Sequence, residues 1–340
     1  MRVAIANFSE PIESNLDYAE YWATREPPAM GARLSLFEQP LRWGFHIHAI
    51  GVHLLDIGAA DDVEYWDFSG PRVFGRAPNG LLWVTFLNED DLIAYLDRFG
   101  YPDLFINHGP CGEPMLRRLE GRSFRVHVPA LRRDGAGYAN RDAECYLVDA
   151  EEYLDARSMM YVPVVHTKRI YPDESRKHRD FVYVATSRPE KRHDIVVEAV
   201  RGTAITGHFH PVDASLLDLS GTRITTSDWN ECGVVDLLRT SRMAVYAGDR
   251  TSSPAAMWEC VAAGLPIVVN TAIRGGKHLV VPGVTGELVT ADAFRETIEH
   301  VLSHLDTYTP RTYFEEHWDT VETIERYLEF FAHMGLECSW

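Results

Sequence analysis

Residues 243–270 read MAVYAGDRTSSPAAMWECVAAGLPIVVN and predict a strand, a loop, a helix and a second strand in direct succession. The apolar runs at 243–247 and 266–270 have the short, β-branched composition that is typical of buried strands. The helix at 254–264 ends in Gly264-Leu265-Pro266, which favours a tight turn into the following strand. A strand–helix–strand unit of this kind builds a parallel sheet, so the stretch predicts an α/β fold.

The same alternation of short apolar runs and longer amphipathic stretches extends in both directions along the chain. Further strands are predicted at 2–7, 81–86, 103–107, 124–129, 145–148, 160–165, 181–186, 203–206 and 223–226. Further helices are predicted at 41–56, 90–98, 112–119, 150–156, 190–201, 232–240, 291–305 and, in the tail, 318–336. Residues 9–40, which carry four prolines, are predicted to form surface loops.

The length of the chain predicts two domains. Its 340 residues suffice for two domains of about 150 residues each. The polar stretch 168–179 has no apolar face and is the best candidate for a linker. We therefore expect one Rossmann-like domain at 1–170, a second at 171–317, and a tail, 318–340, that packs back onto the first. Ligands of open parallel sheets bind at the carboxyl ends of strands, so we expect the two domains to face each other across a binding cleft.

Net charge limits the classes of partner. The formal net charge is -17, and no basic stripe offsets it, so we expect no nucleic-acid partner. The same charge argues against a broad polybasic membrane surface. A local basic pocket for one anionic ligand remains compatible with this composition.

Cysteine usage and hydropathy predict the compartment. The five cysteines are odd in number, widely spaced and without a C-x-x-C pair, which indicates free thiols in a reducing compartment. The first residues lack the charged and apolar regions of a signal peptide, and no apolar run is long enough to span a membrane. We therefore expect a cytoplasmic protein without a transmembrane segment. It is either free in the cytoplasm or attached peripherally to the inner membrane.

The loop after the strand 181–186 is the first that could carry chemistry. It reads SRPEKR from Ser187 to Arg192 and opens a helix. Free backbone N–H groups at a helix start, with Arg188 and Lys191 beside them, form a natural site for a diphosphate. Residues 168–193 contain eight Lys or Arg against four Asp or Glu, a local basic excess in an acidic chain. The alternative to a diphosphate site is that these basic residues form a solvated face of a helix.

Two later loops are further candidates. Glu259 lies inside an otherwise apolar helix, where a carboxylate is costly without a partner. That partner is a ligand hydroxyl or, as the alternative, an arginine such as Arg242. Ser252 and Ser253 precede the same helix and could contact phosphate or sugar. Gly275 and Gly276 permit close backbone approach to a ligand, although an ordinary turn explains them equally and their spacing is not that of a dinucleotide loop.

In order, these loops resemble glycosyltransferase family 4, whose members are retaining enzymes of the GT-B fold. The matching stretches are RPEK at 188–191, WECVAAGLPIVV at 258–269 and GGKHLVVPGVTG at 275–286, and the last two also have the family's spacing. DLFINHG at 103–109 is similar to the family's strand that ends in a His-Gly turn. The resemblance covers about residues 181–305 and weakens towards the N-terminus.

The resemblance implies roles for individual residues. Lys191 and Arg188 would bind the diphosphate, Glu259 the ribose hydroxyls, and His108 the transferred sugar. Thr186 and Ser187 would lie beside the phosphates. Thr251 stands where the family has a glutamate that touches the sugar, so Thr251 or Asp249 would take a different part.

The resemblance also implies the reaction, which moves a sugar from a nucleotide-diphosphate sugar to a glycan or lipid-linked glycan acceptor. Surface polysaccharide assembly is the expected setting. No metal or other cofactor is expected, because no D-x-D motif flanked by strands occurs and His208 and His210 are a weak ligand pair. The acceptor is expected on the N-terminal domain, where aromatic and basic side chains suit a glycan: Trp22, Arg25, Arg33 and Trp43.

Two other functions stay open at this point. One is a nucleotide-sugar epimerase or hydrolase on the same fold, which needs no acceptor. The other is a non-catalytic nucleotide-sugar-binding subunit of a glycan-assembly complex, which Thr251 at the position of the family's glutamate would suit.

Overall fold

The computed structural model describes residues 1–7, 17–32, 34–36, 45–67, 72–108, 118–128, 143–148, 150–228, 233–249 and 254–337. The chain forms two compact units. The first unit consists of Met1–Val148, Glu152–Tyr161 and Thr323–Trp340, and the second of Asp149–Glu151 and Val162–Glu322.

The first unit is built on a sheet of strands in the order β3-β4-β2-β1-β5-β6-β7-β8. The strands are β1 (Arg2–Asn7), β2 (Asp62–Asp67), β3 (Phe74–Arg76), β4 (Leu82–Thr85), β5 (Leu104–His108), β6 (Phe124–Val128), β7 (Cys145–Val148) and β8 (Ser158–Met160). Its helices are α1 (Tyr18–Ala23), α2 (Phe45–Asp56) and α3 (Glu89–Phe99). Every pairing is parallel except the edge pair β3–β4. The strand order reverses between β1 and β5, which places the carboxyl end of β5, at His108, at the switch point of this sheet.

The second unit has a fully parallel sheet in the order β11-β10-β9-β12-β13-β14. The strands are β9 (Arg179–Val184), β10 (Thr206–His210), β11 (Arg223–Thr226), β12 (Ser241–Tyr246), β13 (Ile267–Asn270) and β14 (Gly286–Val289). The helices are α4 (His193–Val200), α5 (Val234–Thr240), α6 (Ala255–Ala262), α7 (Phe294–Ser303) and α8 (Pro310–His317). The last helix, α9 (Thr320–His333), belongs to the first unit from Thr323 onwards. Here the order reverses between β9 and β12.

Apolar strands form the centre of both sheets. The middle residues of β1, from Val3 to Ala6, are fully buried, and β13 is buried along its whole length. In β10, a Cβ atom on Gly207 would lie 2.1 Å from the ring of Phe181, so glycine is what lets β9 and β10 pack at this point. Burial on both faces is the reason that these strands read as continuous apolar runs.

Two strands of the first sheet, β2 and the three-residue β3, were not predicted, and β2 escaped the sequence pattern because it carries a buried acid. Residues 62–67, DVEYWD, contain Glu64, which is 2% exposed. The Glu64 carboxylate pairs with Arg2 at 2.6 Å and accepts hydrogen bonds from Trp66 Nε1 at 2.6 Å and Tyr95 Oη at 2.9 Å. These partners offset the cost of burying the charge, which the sequence pattern alone does not reveal.

Other predicted elements need correction. The strand predicted at 203–206 lies instead at 206–210, and the one predicted at 160–165 ends at Met160. The helix predicted at 150–156 is only a short 3-10 turn at Glu151–Tyr153, and α1 lies within the predicted loops. The tail helix predicted at 318–336 is confirmed as α9 at Thr320–His333, and a separate helix, α8, ends just before it at His317. Between the two, Trp318 packs edge-on against Trp258, and at the start of α9 Thr320 Oγ1 donates a hydrogen bond to Val165 O at 2.5 Å.

Membrane and metal features can be stated for the part of the chain that the structure describes. None of the helices there combines the length and the apolar character that crossing a membrane requires. Within the same residues, no group of three or more His, Cys, Asp or Glu side chains is arranged to hold a metal ion.

Candidate functional site

The loops that follow β9 and β12 meet at the switch point of the second sheet. Asp249 N–H donates a hydrogen bond to Glu190 O at 2.9 Å, which joins the two loops directly. Tyr246 Oη in β12 donates to Val184 O at the end of β9, at 3.2 Å. The carboxyl ends of adjacent parallel strands at such a reversal are where open α/β sheets bind ligands. The topology therefore places the candidate loops in the position of a binding site.

Two cations in the loop after β9 form no ion pair with the residues that the structure describes. Arg188 is exposed, and Lys191 is half-buried at the end of the 3-10 turn Pro189–Lys191. Burial lowers the pKa of Lys191, Glu190 acts in the opposite direction, and the charge of Arg188 lowers it further. Among the described residues, no carboxylate forms an ion pair with either side chain. Two neighbouring cations without a partner are suited to a doubly charged anion.

Arg192, the third cation of this loop, is already satisfied. Its guanidinium pairs with Asp194 at 2.9 Å and with Asp249 at 3.5 Å. Arg192 has the left-handed backbone conformation, with φ 50°, and the next residue begins α4. The basic excess of this segment is thus divided between one structural arginine and two cations that remain available for a ligand.

Glu259 lies on α6, which follows the loop after β12. Its neighbours Trp258 and Cys260 are fully buried, while the Glu259 side chain is half-buried. Burial raises the pKa of Glu259 to about 7. No described residue hydrogen-bonds or forms an ion pair with this carboxyl group. Arg242, the arginine suggested as its alternative partner, instead pairs with Asp180 at 3.1 Å, so the pairing of Glu259 with Arg242 is wrong.

The glycine loop packs against the helix that carries Glu259. Gly276 has φ 81° and precedes the 3-10 turn Lys277–Leu279, and both Gly275 and Gly276 are buried. In that turn, the ring of His278 lies 5.2 Å from the ring of Trp258. Tertiary packing therefore brings the second and third loops together.

The remaining predicted residues of this unit have mixed outcomes. Thr186 O accepts a hydrogen bond from Arg188 N–H at 2.7 Å, and Ser187 Oγ accepts one from Asp213 N–H at 3.2 Å. Asp249 is held by Arg192 as described above. Thr251, Ser252 and Ser253 lie outside the described residues.

A cavity that the sequence analysis missed opens beside these loops. It has a volume of about 510 Å³ and lies at the carboxyl ends of the strands β9, β10 and β11. Its described lining is Thr186, Pro211, Val212, Asp213, Ala214, Thr226, Ser227 and Asp228. In the sequence, polar residues follow each of the three strands within three positions: Thr186 after β9, Asp213 after β10, and Ser227 and Asp228 after β11.

The paired histidines of β10 belong to the wall behind this cavity. His208 Nδ1 lies 2.7 Å from Thr225 Oγ1, and His208 Nε2 lies 2.8 Å from Ser227 Oγ. His210 Nδ1 is 2.9 Å from the same Ser227 Oγ. Both imidazoles thus use ring nitrogens for hydroxyl contacts.

In the first unit, His108 ends β5 at the switch point and is half-buried. Burial lowers the pKa of His108 to about 4, so the ring is neutral at pH 7. The same effect lowers the pKa of His48 to about 4, with a further contribution from His108. A neutral imidazole at this position can donate or accept a hydrogen bond without adding charge.

One of the predicted acceptor-binding residues is a core residue. Trp22 is 1% exposed, and its Nε1 donates a hydrogen bond to Asp91 Oδ1 at 2.8 Å. Rings of Phe74 and Tyr95 lie 5.3 Å and 4.8 Å away, so the prediction that Trp22 offers a face to a glycan is wrong. Arg25 is exposed and lies 3.9 Å over the ring of Tyr21. The other two predicted residues, Arg33 and Trp43, lie outside the described residues.

No protein-family model and no curated protein matches this sequence. Solved structures do match. HepE from Anabaena, solved in complex with UDP and glucose, has a TM-score of 0.67 at 11% identity, and the match covers 98% of this chain and 100% of that one. Sucrose-phosphate synthase from Thermosynechococcus elongatus has a TM-score of 0.68 at 14% identity, with 98% and 99% covered.

A third match is to a longer protein. TarM from S. aureus, solved as a mutant with UDP among its ligands, has a TM-score of 0.56 at 15% identity over 70% of this chain. The chain spans 58% of the length of TarM. At these identities the likeness concerns the fold, and on that ground this chain has the two-domain α/β fold, GT-B, of HepE and sucrose-phosphate synthase.

Proposed function

We propose that this protein is a retaining glycosyltransferase, similar to family 4, that moves a sugar from a nucleotide-diphosphate sugar to a glycan or glycolipid. One observation carries the proposal. The switch point of the second sheet presents two cations without partners, Arg188 and Lys191, close in the fold to the loop that leads to Glu259, whose carboxyl also has no partner among the described residues. The fold shared with HepE and sucrose-phosphate synthase supports the same conclusion.

In this proposal, the cations act on the leaving group. Breaking the bond between sugar and diphosphate leaves negative charge on the phosphate oxygens and positive charge on the sugar. Lys191 is half-buried, so its attraction to that negative charge is screened less than it would be in water. Arg188 adds a planar set of N–H donors that matches phosphate oxygens.

Glu259 and the glycine loop hold the rest of the donor. An ionised Glu259 accepts hydrogen bonds from both hydroxyls of a ribose, which supplies the partner that the fold does not. The positive φ of Gly276 and the absence of side chains at Gly275 and Gly276 let a ligand approach the backbone closely.

The first unit carries the proposed sugar and acceptor contacts. His108, neutral at pH 7, hydrogen-bonds a hydroxyl of the transferred sugar, and the exposed Arg25 belongs to the acceptor surface. The departing phosphate removes the acceptor proton, so a protein nucleophile is not required. We propose that no metal or other cofactor takes part, and that the protein acts in the cytoplasm, in surface polysaccharide assembly.

The test is calorimetric titration of the full chain with UDP and with GDP. At a ligand concentration 100 times the dissociation constant, binding stabilises the fold by about 2.7 kcal/mol, so a thermal-shift assay provides a second readout. Lys191→Ala and Glu259→Ala should each weaken the binding of whichever nucleotide the wild-type protein binds. Lys168→Ala and Glu299→Ala, at exposed positions of the same unit, are the matched controls and should leave binding unchanged. Binding of neither nucleotide would withdraw the proposal.

Product analysis separates the two rival functions. With donor and no acceptor, an epimerase or hydrolase consumes the sugar nucleotide at its full rate, whereas a transferase requires the acceptor. Tight binding without turnover under any condition would favour a non-catalytic subunit, which the threonine at position 251 would suit.

A further inference from the structure

We infer that the cavity at the carboxyl ends of β9, β10 and β11 receives the base of the donor nucleotide, and that the carboxylates of Asp213 and Asp228 select guanine. This inference rests on the proposed donor site and adds the identity of the base to it.

The cavity adjoins the loop proposed to bind the diphosphate. Thr186 lines the cavity and is two residues before Arg188. Ser187, the next residue, accepts a hydrogen bond from Asp213 N–H at 3.2 Å, so the loop and the cavity wall are physically joined. A volume of about 510 Å³ is sufficient for a nucleobase and part of its ribose.

We assign directions to the hydrogen bonds behind the cavity by taking the Thr225 hydroxyl as the donor to Gly207 O. Thr225 Oγ1 donates to Gly207 O at 3.3 Å and therefore accepts from His208 Nδ1–H. With its proton on Nδ1, a neutral His208 has only a lone pair on Nε2, which accepts from Ser227 Oγ–H. Ser227 has then used its only proton and accepts from His210 Nδ1–H. Ser227 consequently offers the cavity no donor.

Both imidazoles of this hydrogen-bond network, His208 and His210, are neutral at pH 7. Burial lowers the pKa of His208 to about 4, and nearby Arg179 and His210 lower it further. Burial also lowers the pKa of His210, while the carboxylate of Asp228 acts in the opposite direction. The direction of the hydrogen bonds therefore holds at neutral pH.

The other polar groups of the wall are also mainly acceptors. Asp213 and Asp228 are carboxylates on the surface of the cavity, and Asp213 uses Oδ1 to accept from Ser215 N–H at 2.9 Å. Among the described lining residues, the side chains include no lysine, arginine, asparagine or glutamine. The hydroxyls of Thr186 and Thr226 are the side-chain groups that can still donate.

An acceptor-rich wall distinguishes between bases. Guanine presents two adjacent donors, N1–H and the N2 amino group, which match the two oxygens of one carboxylate. Uracil presents one donor between two carbonyl oxygens, and both oxygens would face carboxylates. Adenine and cytosine each place an acceptor next to their amino group. Rejection of uracil by unmatched acceptors is as much a part of the selectivity as attraction of guanine.

Calorimetric titration of the full chain with GDP and with UDP tests the inference. We expect the wild-type protein to bind GDP at least about tenfold more tightly than UDP, since hydrogen bonds to a charged group are among the stronger ones. Asp228→Asn and Asp213→Asn are the informative variants. At least one should weaken the binding of GDP by about tenfold without weakening the binding of UDP, because an amide offers one donor group and one acceptor in place of two acceptors. The control is Asp306→Asn, an exposed aspartate of the same unit, with no expected effect.

The outcomes separate this inference from the proposed function. UDP binding as tightly as GDP to the wild-type protein, or full GDP affinity in both Asp→Asn variants, overturns the assignment of guanine. If Lys191→Ala abolishes the binding of both GDP and UDP, the donor site itself is supported, whether or not guanine is the preferred base. Binding of neither nucleotide to the wild-type protein overturns the inference and the proposed function together.

Discussion

Replacing Glu259 with glutamine should stabilise the ligand-free protein at alkaline pH and leave its stability unchanged in acid. Burial raises the pKa of this carboxyl from an ordinary 4.5 to about 7. The folded chain therefore holds the Glu259 proton more tightly than the unfolded chain does. Loss of that proton disfavours folding, whereas glutamine is neutral at every pH and of similar size.

The magnitude follows from the shift of the pKa. A difference of about 2.5 pKa units corresponds to about 3 kcal/mol at about 1.4 kcal/mol per unit. Below pH 4.5 the carboxyl is protonated in both states and costs nothing. The penalty grows as the pH rises from 4.5 and is complete above about 7. The Glu259→Gln variant should thus exceed the wild type by about 3 kcal/mol at pH 8.5 and by less than about 0.5 kcal/mol at pH 4.5.

Urea denaturation without nucleotide, followed by circular dichroism at pH 4.5, 7 and 8.5, measures the difference at each pH. Because the other titrating groups are the same in both proteins, their contributions cancel in that difference. Glu299→Gln, on the exposed side of α7, is the control and should show no trend with pH. A difference between the wild type and Glu259→Gln that stays constant over this range would refute the reasoning, because Glu259 would then titrate alike in both states.

Three other predictions concern binding and packing. Because a ribose hydroxyl prefers the carboxylate form of Glu259, nucleotide affinity should fall by up to about tenfold per pH unit below 7, a trend that calorimetry would show absent in Glu259→Gln. Trp22→Ala should destabilise the first unit by about 3–5 kcal/mol in urea denaturation and leave donor binding intact, and a fully stable variant would contradict its placement in the core. A Cβ on Gly286 would lie 1.9 Å from Ile267 O, so Gly286→Ala should lower the free energy of unfolding by about 3 kcal/mol. Gly233 has open space around it, so Gly233→Ala is the control and should not lower it. Equal losses in the two variants would count against the close approach of β13 and β14.

The strands of the second unit show why much of the fold was predictable. Runs such as FVYVA at 181–185 and IVV at 267–269 are buried on both faces, so they are apolar along their whole length and visible in the sequence. β10 was misplaced because its strand contains Gly207, His208 and His210, whose polarity is compensated only by neighbouring strands and hydroxyls. β2 was missed for a similar reason, since Glu64 depends on Arg2 and Tyr95.

In the candidate site, too, some features could be predicted from the sequence and others depended on tertiary contacts. Arg188, Lys191 and Glu259 could be selected from the sequence, because a charge in a strand-end loop or inside an apolar helix is a local feature. Their lack of partners was not local information: Arg242 was available in the sequence as a partner of Glu259 and pairs with Asp180 instead. The assignment of Trp22 to a glycan surface failed because residue type does not disclose burial against α3.

By itself, the sequence determined the alternation of strands and helices and the loops in which charge collects. Both are set by hydrogen bonding and side-chain patterns within a few residues. Only the tertiary structure decided that β9 lies beside β12, a strand about 60 residues later, so that the loops after both strands meet. It alone also brought residues 186, 211–214 and 226–228 around one cavity. Parallel pairing joins segments that are distant in the chain, and its energy comes from contacts that exist only once the sheet has formed.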